Sequence, residues 1–202
     1  MLYNIYLIRH ARTESNYAGL YAGSADEPVS PKGFLELAAK IRSGYYPRVQ
    51  RVYSSPRQRC RQTAEFIYPE HNITIVPGFD EYNFGEFEGK SYRELKDNPA
   101  YQRWVASGGK EKAPGGEDIE SYKGRCCRAF EQVVEEVIKD GIQDTALVIH
   151  GGTIMAIMVN YAPGTKSFYD WQVANTQGYK LVIADELWQK EKMIKSCQFL
   201  DT

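Results

Sequence analysis

The stretch LIRHARTES, Leu7–Ser15, closes an apolar run by setting Arg9 and His10 side by side. The run itself, Tyr3–Ile8, is rich in β-formers and apolar at every position but Asn4, which reads as a strand covered on both faces. A strand of this kind belongs to a parallel sheet packed between helices. In open α/β sheets, ligands bind at the carboxyl ends of strands, so the two polar side chains stand where a site is expected.

Three further β-rich runs appear at Arg51–Tyr53, Ala146–Ile149 and Tyr179–Ile183. Helical signals alternate with them. Ser30 reads as an N-cap with Pro31 at the first helical position, followed by Phe34, Leu37, Ala38 and Ile41 on one face and a stop at Gly44. A second helix is expected after Pro56. The longest runs from about Asp118 to Asp140, with Tyr122, Cys126, Phe130, Val133 and Val137 at three- and four-residue spacing and Gly141 as its stop. The pattern predicts an α/β fold, a three-layer α/β/α sandwich with a mostly parallel central sheet. Residues 78–117 break the alternation with Tyr82, Phe84, Phe87, Tyr92, Tyr101 and Trp104 and the flexible SGGKEKAPGGE, and are expected to be an insertion that caps a site within a single domain spanning 1–202.

Two more strand ends repeat the opening arrangement. ALVIHGG places His150 after an apolar run and before a helix that begins with Gly151. RVYSSPRQRCRQTA follows its strand with a helix start carrying Arg57, Arg59 and Arg61. A helix N-terminus favours anions through its free N–H groups, and guanidinium groups add paired donors for phosphate oxygens. A lone strand-end histidine is usually structural. Arg-His, Arg and His on one sheet edge together read as an anion pocket.

Composition narrows the partners. The 202 residues carry 25 Lys and Arg against 26 Asp and Glu, a net charge of −1, with an isoelectric point near 6.3. No global positive field exists to recruit nucleic acid or an anionic membrane. No run approaches the roughly 20 apolar residues of a membrane helix, and the apolar start lacks the basic leader of a signal peptide. Cys60, Cys126, Cys127 and Cys197 show neither zinc nor disulfide spacing, which predicts reduced thiols and a cytoplasmic location. The expected partner is a small phosphorylated metabolite, with the chain a monomer or homodimer.

Competing phosphate chemistries lack their signatures. No G-x-x-x-x-G-K-[ST] loop, cysteine-phosphatase spacing or G-x-S-x-G elbow occurs, nor any H-E-x-x-H or acidic metal-ligand cluster. Neither a metal nor a cofactor is expected. Histidine remains as the candidate nucleophile.

LIRHARTESN, YSSPRQRCRQTAE, FDEYNFGEFEG and VIHGG, in this order, resemble the histidine phosphatase superfamily, the phosphoglycerate-mutase-like enzymes, over roughly residues 3–160. The turn GLYAGSADEPVSPKG further resembles that of its α-ribazole phosphate phosphatases. The resemblance implies a phosphoglycerate-mutase-like fold and hydrolysis of small phosphate esters through a phosphohistidine, with α-ribazole 5′-phosphate one candidate. Mutase-type phosphoryl transfer is the alternative within the family, less favoured for so short a chain. A non-catalytic phospho-ligand module is the alternative outside it. Carried over, the nucleophile falls on His10 and its phosphate-gripping partner on Arg9. The second arginine falls on Arg59, the acid on Glu81 and the second histidine on His150. Asn16, Gly23 and Gly151 are implied to touch substrate. Arg57 and Arg61 are expected to be exposed, and Glu14, Glu86 and Glu88 to be supporting or solvated. Two departures stand out: Ala11 replaces the usual glycine after the histidine, and Cys60 a common alanine, a swap expected to matter little.

Overall fold

Strand β1 (Leu2–Arg9) sends Tyr3, Ile5 and Leu7 to one face of the sheet and Tyr6 and Ile8 to the other, and all five are buried. A strand apolar on both faces needs a helix layer on each. In the computed structural model, which describes residues 1–200, it has both; the last two residues of the expected 1–202 domain lie outside the described ones. The sheet also contains β2 (Arg51–Ser54), β3 (Ile73–Ile75), β4 (Asp144–Ile149), β5 (Gly178–Ala184) and β6 (Ser196–Phe199), in the order β3-β2-β4-β1-β5-β6. Strands β1 to β4 are parallel. β5 runs antiparallel to β1, and β6 antiparallel to β5.

The helices are α1 (Glu14–Ala18), α2 (Pro31–Arg42), α3 (Gln58–Ile67), α4 (Tyr92–Leu95), α5 (Pro99–Ala106), α6 (Ile119–Asp140), α7 (Gly151–Tyr161) and α8 (Asp185–Glu191). On one face, Phe130, Val133 and Val137 of α6 and Ile154, Ile157 and Met158 of α7 pack on Leu7 and Leu147. On the other, Cys60 and Ala64 of α3 pack on Ile8, Val52 and Val148. This is the expected three-layer sandwich. Each fully buried aliphatic or Phe side chain contributes roughly 1.5–3 kcal/mol of transfer free energy, so these layers dominate stability.

Local chemistry sets the helix ends. Ser30 Oγ accepts the Gly33 N–H at the start of α2, and Asp118 accepts that of Ser121 at the start of α6. Gly141, at φ 69°, ends α6 in the left-handed region that costs glycine least.

Register then fixes where the site falls. Arg9 pairs with Ile149 and Ser54 with Val148, so His10, Ser55 and His150 leave three neighbouring strands at one level. Ala11 is not among the residues with positive φ, so its Cβ brings no backbone strain. It is fully buried and packs with Val29 and Leu37.

Between β3 and α6 the chain forms two 3₁₀ turns (Pro77–Phe79 and Gly85–Phe87) and then α4 and α5. Phe87, Leu95, Tyr101 and Ala113 make a small apolar core of their own, with Tyr21, Phe84 and Trp104 packed against it. Among the described residues no helix is long and apolar enough to cross a membrane.

Candidate active site

The rings of His10 and His150 lie 5.3 Å apart at 66°. With Arg59 they are nearly inaccessible, at 4%, 0% and 1% exposure. His10 Nδ1 lies 2.7 Å from the Ala11 carbonyl oxygen. A carbonyl only accepts, so Nδ1 carries the proton and the lone pair sits on Nε2. Burial, then the charges of Arg59 and Arg9, push the His10 proton affinity well below the usual histidine range, and the ring is neutral. His150 is held down the same way, by burial and Arg59 first. Its Nε2 pairs with Ser55 Oγ at 2.6 Å.

Both histidines bind protons more weakly folded than unfolded, so the stability they contribute is full above about pH 6.5 and is lost as pH falls. Each should cost up to about 1.4 kcal/mol per pH unit below that point. Urea midpoints at pH 7, 6 and 5 should drop progressively; a midpoint unchanged to pH 5 would contradict buried neutral imidazoles.

The two guanidiniums are seated by backbone carbonyls. Arg59 donates to Ala25 O at 2.6 Å and to Gly23 O at 2.9 Å. Arg9 donates from Nη1 to Val173 O at 2.7 Å, while its buried Nε has no partner among the described residues. Burial is the main cause lowering the Arg9 proton affinity, opposed by Glu81. An unsatisfied donor on a buried cation is what an anion would complete. Asn16 Oδ1 accepts from Thr13 N–H and Asn175 Nδ2, so its own amide N–H₂ is the group it presents to the cleft.

Glu81 faces this cluster. Its Oε1 accepts from Tyr122 O–H at 2.5 Å and from Tyr82 N–H at 2.9 Å, and its Oε2 from Gly152 N–H at 3.3 Å. A Cβ built on Gly152 would stand 2.5 Å from Glu81 Oε1 and 2.6 Å from Tyr122 O–H. Gly152→Ala should therefore displace the carboxylate and lower kcat by roughly 10²-fold, the cost of a misplaced catalytic group. Full activity in that variant would mean that Glu81 does not work from this position.

Arg9, Asn16, Glu81 and Gly151 line one cleft of about 780 Å³, with His10, Arg59 and His150 behind it. Gly151 packs against the Arg9 guanidinium, with a built Cβ only 3.3 Å from Nε. Two expectations need correction. Gly23, expected to touch substrate, has its N–H bound to Glu88 and its carbonyl to Arg59, so it seats the arginine instead. Arg57, expected to be exposed, is half-buried in a two-point pair with Asp80 at 2.6 Å, because Asp80 precedes Glu81 and anchors that loop. Arg61 is exposed as expected. Glu88 is a supporting residue, accepting from Gly23, Ser24 and Phe84 N–H groups. Cys60, a swap expected to matter little, is buried with its Sγ 3.5 Å from His150 Nε2, so it faces the site.

Tyr122, Ser55, Asp80, Asn175 and Arg125 escaped the sequence reading. Arg125 donates to the carbonyls of Gly78, Asp80 and Glu81 while pairing with Glu117, so it ties together the two ends of residues 78–117. The tyrosine left one usable signal, its place on the apolar face of α6.

Two imidazoles, two guanidiniums and a carboxylate around one point define a phosphoryl-transfer pocket at the carboxyl edge of an α/β sheet. The chain belongs to the histidine phosphatase superfamily, branch 1, whose sequence profile matches residues 5–195. It is 28% identical over 193 residues to a metal-independent phosphoserine phosphatase of Arabidopsis thaliana, covering 91% of this chain and 78% of that one. It is 27% identical over 158 residues to an adenosylcobalamin/alpha-ribazole phosphatase of Salmonella typhimurium, covering 76% and 77%. The phosphoglycerate mutase structure of Bacillus anthracis superposes with a TM-score of 0.72 at 25% identity, covering 91% and 89%, and so places the fold among the phosphoglycerate-mutase-like enzymes.

Proposed function

We propose that the chain is a phosphomonoesterase of acid type, acting on small phosphorylated metabolites through a phosphohistidine on His10 and needing neither metal nor cofactor. The observation that carries this reading is the His10 tautomer: with the proton held on Nδ1 by Ala11 and the ring neutral, Nε2 presents a lone pair beside Arg9, Arg59 and His150. Nε2 forms a bond to phosphorus as the ester P–O bond breaks. The departing oxygen takes a proton from the Glu81 carboxyl group. In the second half, Glu81 takes a proton from water, whose oxygen displaces Nε2 from phosphorus and releases phosphate. Arg9, Arg59 and Asn16 hold the charge of the equatorial oxygens throughout, with His150 beside them, the kind of preorganised stabilisation that usually supplies most of the rate. Because His10 stays unprotonated below pH 6.5, the nucleophile remains competent in mild acid, which is the sense of the acid-type assignment.

In this reading residues 78–117 are a cap inserted in one domain. The enzyme is cytoplasmic, a monomer or homodimer with no nucleic-acid or membrane partner, and α-ribazole 5′-phosphate is a natural candidate to offer it. Denaturing quench during turnover of a ³²P-labelled ester should leave acid-labile, alkali-stable phosphate on the protein. Wild-type protein that never takes up label on rapid quench would remove the covalent step.

A further inference from the structure

The cleft is far larger than a phosphoryl group, and its two ends differ in chemistry. Its inner end carries Arg9, Asn16 and Glu81. The rest of its lining, the outer cleft, includes Tyr21, Phe84, Tyr101 and Trp104, which pack on one another, and Phe168 and Tyr169. The rings are held by one another: Tyr21 lies 5.1 Å from Phe84 and 5.8 Å from Trp104 between ring centres, and its hydroxyl meets that of Tyr101 at 2.7 Å. Tyr169 O–H reaches the Gly108 carbonyl at 3.3 Å, joining the inserted segment to the far wall. Among the described residues lining the cleft, Arg9 and Glu81 are the only basic or carboxylic side chains, and the proposed reaction uses both.

A substrate ammonium or carboxylate entering this space would leave water for rings and find no free opposite charge, since Lys123, over the Phe168 ring at 5.3 Å, is already paired with Glu120. A flat, uncharged ring would instead gain apolar burial and edge or offset contacts with the walls. Resting on the phosphomonoesterase reading, we propose that the outer cleft selects esters whose alcohol carries an uncharged aromatic ring, and discriminates against zwitterionic amino-acid esters and carboxylate-bearing sugar-acid esters. Trp104 and Tyr21 are its specificity-determining residues. The preference comes from the outer walls alone, because every monoester presents the same phosphoryl group to the inner end.

The test uses esters of primary alcohols, so that the leaving group stays comparable: 2-(1-naphthyl)ethyl phosphate, propyl phosphate, O-phospho-L-serine and 3-phosphoglycerate. On wild-type protein the naphthyl ester should exceed propyl phosphate in kcat/KM by at least about tenfold, and both charged esters should fall below propyl phosphate. Trp104→Ala should bring the naphthyl-to-propyl ratio toward one. Equal rates on the naphthyl and propyl esters, or O-phospho-L-serine or 3-phosphoglycerate as the best substrate, would overturn the proposal, and this wild-type series does not depend on any variant folding. Hydrolysis of none of the four would instead sink the phosphatase reading. Calorimetric binding of the same esters to wild-type protein then decides the cleft separately: tighter binding of the naphthyl ester supports it, and equal affinities overturn it.

Discussion

Replacing His10 by alanine should abolish turnover, with kcat on p-nitrophenyl phosphate or an alkyl phosphate falling on the order of 10⁴-fold or more, as expected when a covalent nucleophile is removed. No neighbour can take over. His150 is committed to Ser55 through Nε2, and burial raises the Cys60 thiol above the range in which a thiolate forms. The Arg9, Arg59 and Asn16 donors stay in place, so the variant should still bind phosphate. It should also resist acid better than wild type does, since one buried imidazole that must be protonated on unfolding at low pH has gone. Steady-state kinetics, phosphate calorimetry and urea midpoints at pH 7 and 5 check the three parts. A His10→Ala protein within tenfold of wild-type kcat would end the nucleophile assignment.

Arg59→Ala should have the next largest effect, on two quantities at once. Loss of one preorganised donor to the phosphoryl oxygens should lower kcat by roughly 10²–10³-fold. The same change strips the Gly23 and Ala25 carbonyls of their donor and empties the space of a large buried side chain, costing about 2–4 kcal/mol of stability. A third readout separates electrostatics from collapse. Arg59 is the foremost charge holding down the proton affinities of both His10 and His150. Its removal raises them, so the acidic loss of activity should move to higher pH. Arg59→Lys keeps the charge without the planar two-point fork and should restore the pH profile better than it restores kcat. If Arg59→Ala retains kcat/KM within threefold of wild type, the arginine does not grip the phosphoryl group.

Much of the site was legible because its parts sit at element boundaries that local chemistry marks. An apolar run ending in Arg9-His10, a second ending in His150-Gly151 and a cap such as Ser30-Pro31 each reveal themselves within a few residues. Continuous apolar character reported the two-sided burial of β1 and hence the helix layers on both faces. No left-handed backbone is needed at Ala11, so the missing glycine costs no strain there.

What could not be read depends on pairings at long range. Tyr122 meets Glu81 across 41 residues, and Ser55 meets His150 across 95. Those meetings follow from which strands are neighbours and from the angle at which α6 crosses the sheet, and neither leaves a periodic trace in the chain. Gly23 and Arg57 were misplaced for the same reason. A glycine beside a motif and an arginine in a first helical turn look alike whether they face a ligand or hold a loop, and only the Glu88, Arg59 and Asp80 contacts tell which.

The amino-acid order by itself determined that strands alternate with helices and that two histidines and two arginines end up at carboxyl ends of strands, because burial periodicity and helix capping act over a handful of neighbours. The tertiary structure alone decided the His10 proton position, the seating of both guanidiniums on backbone carbonyls and the ring-walled cleft beside them. Each of these requires several segments distant in the chain to converge at hydrogen-bonding distance, and that convergence is set by sheet order and register.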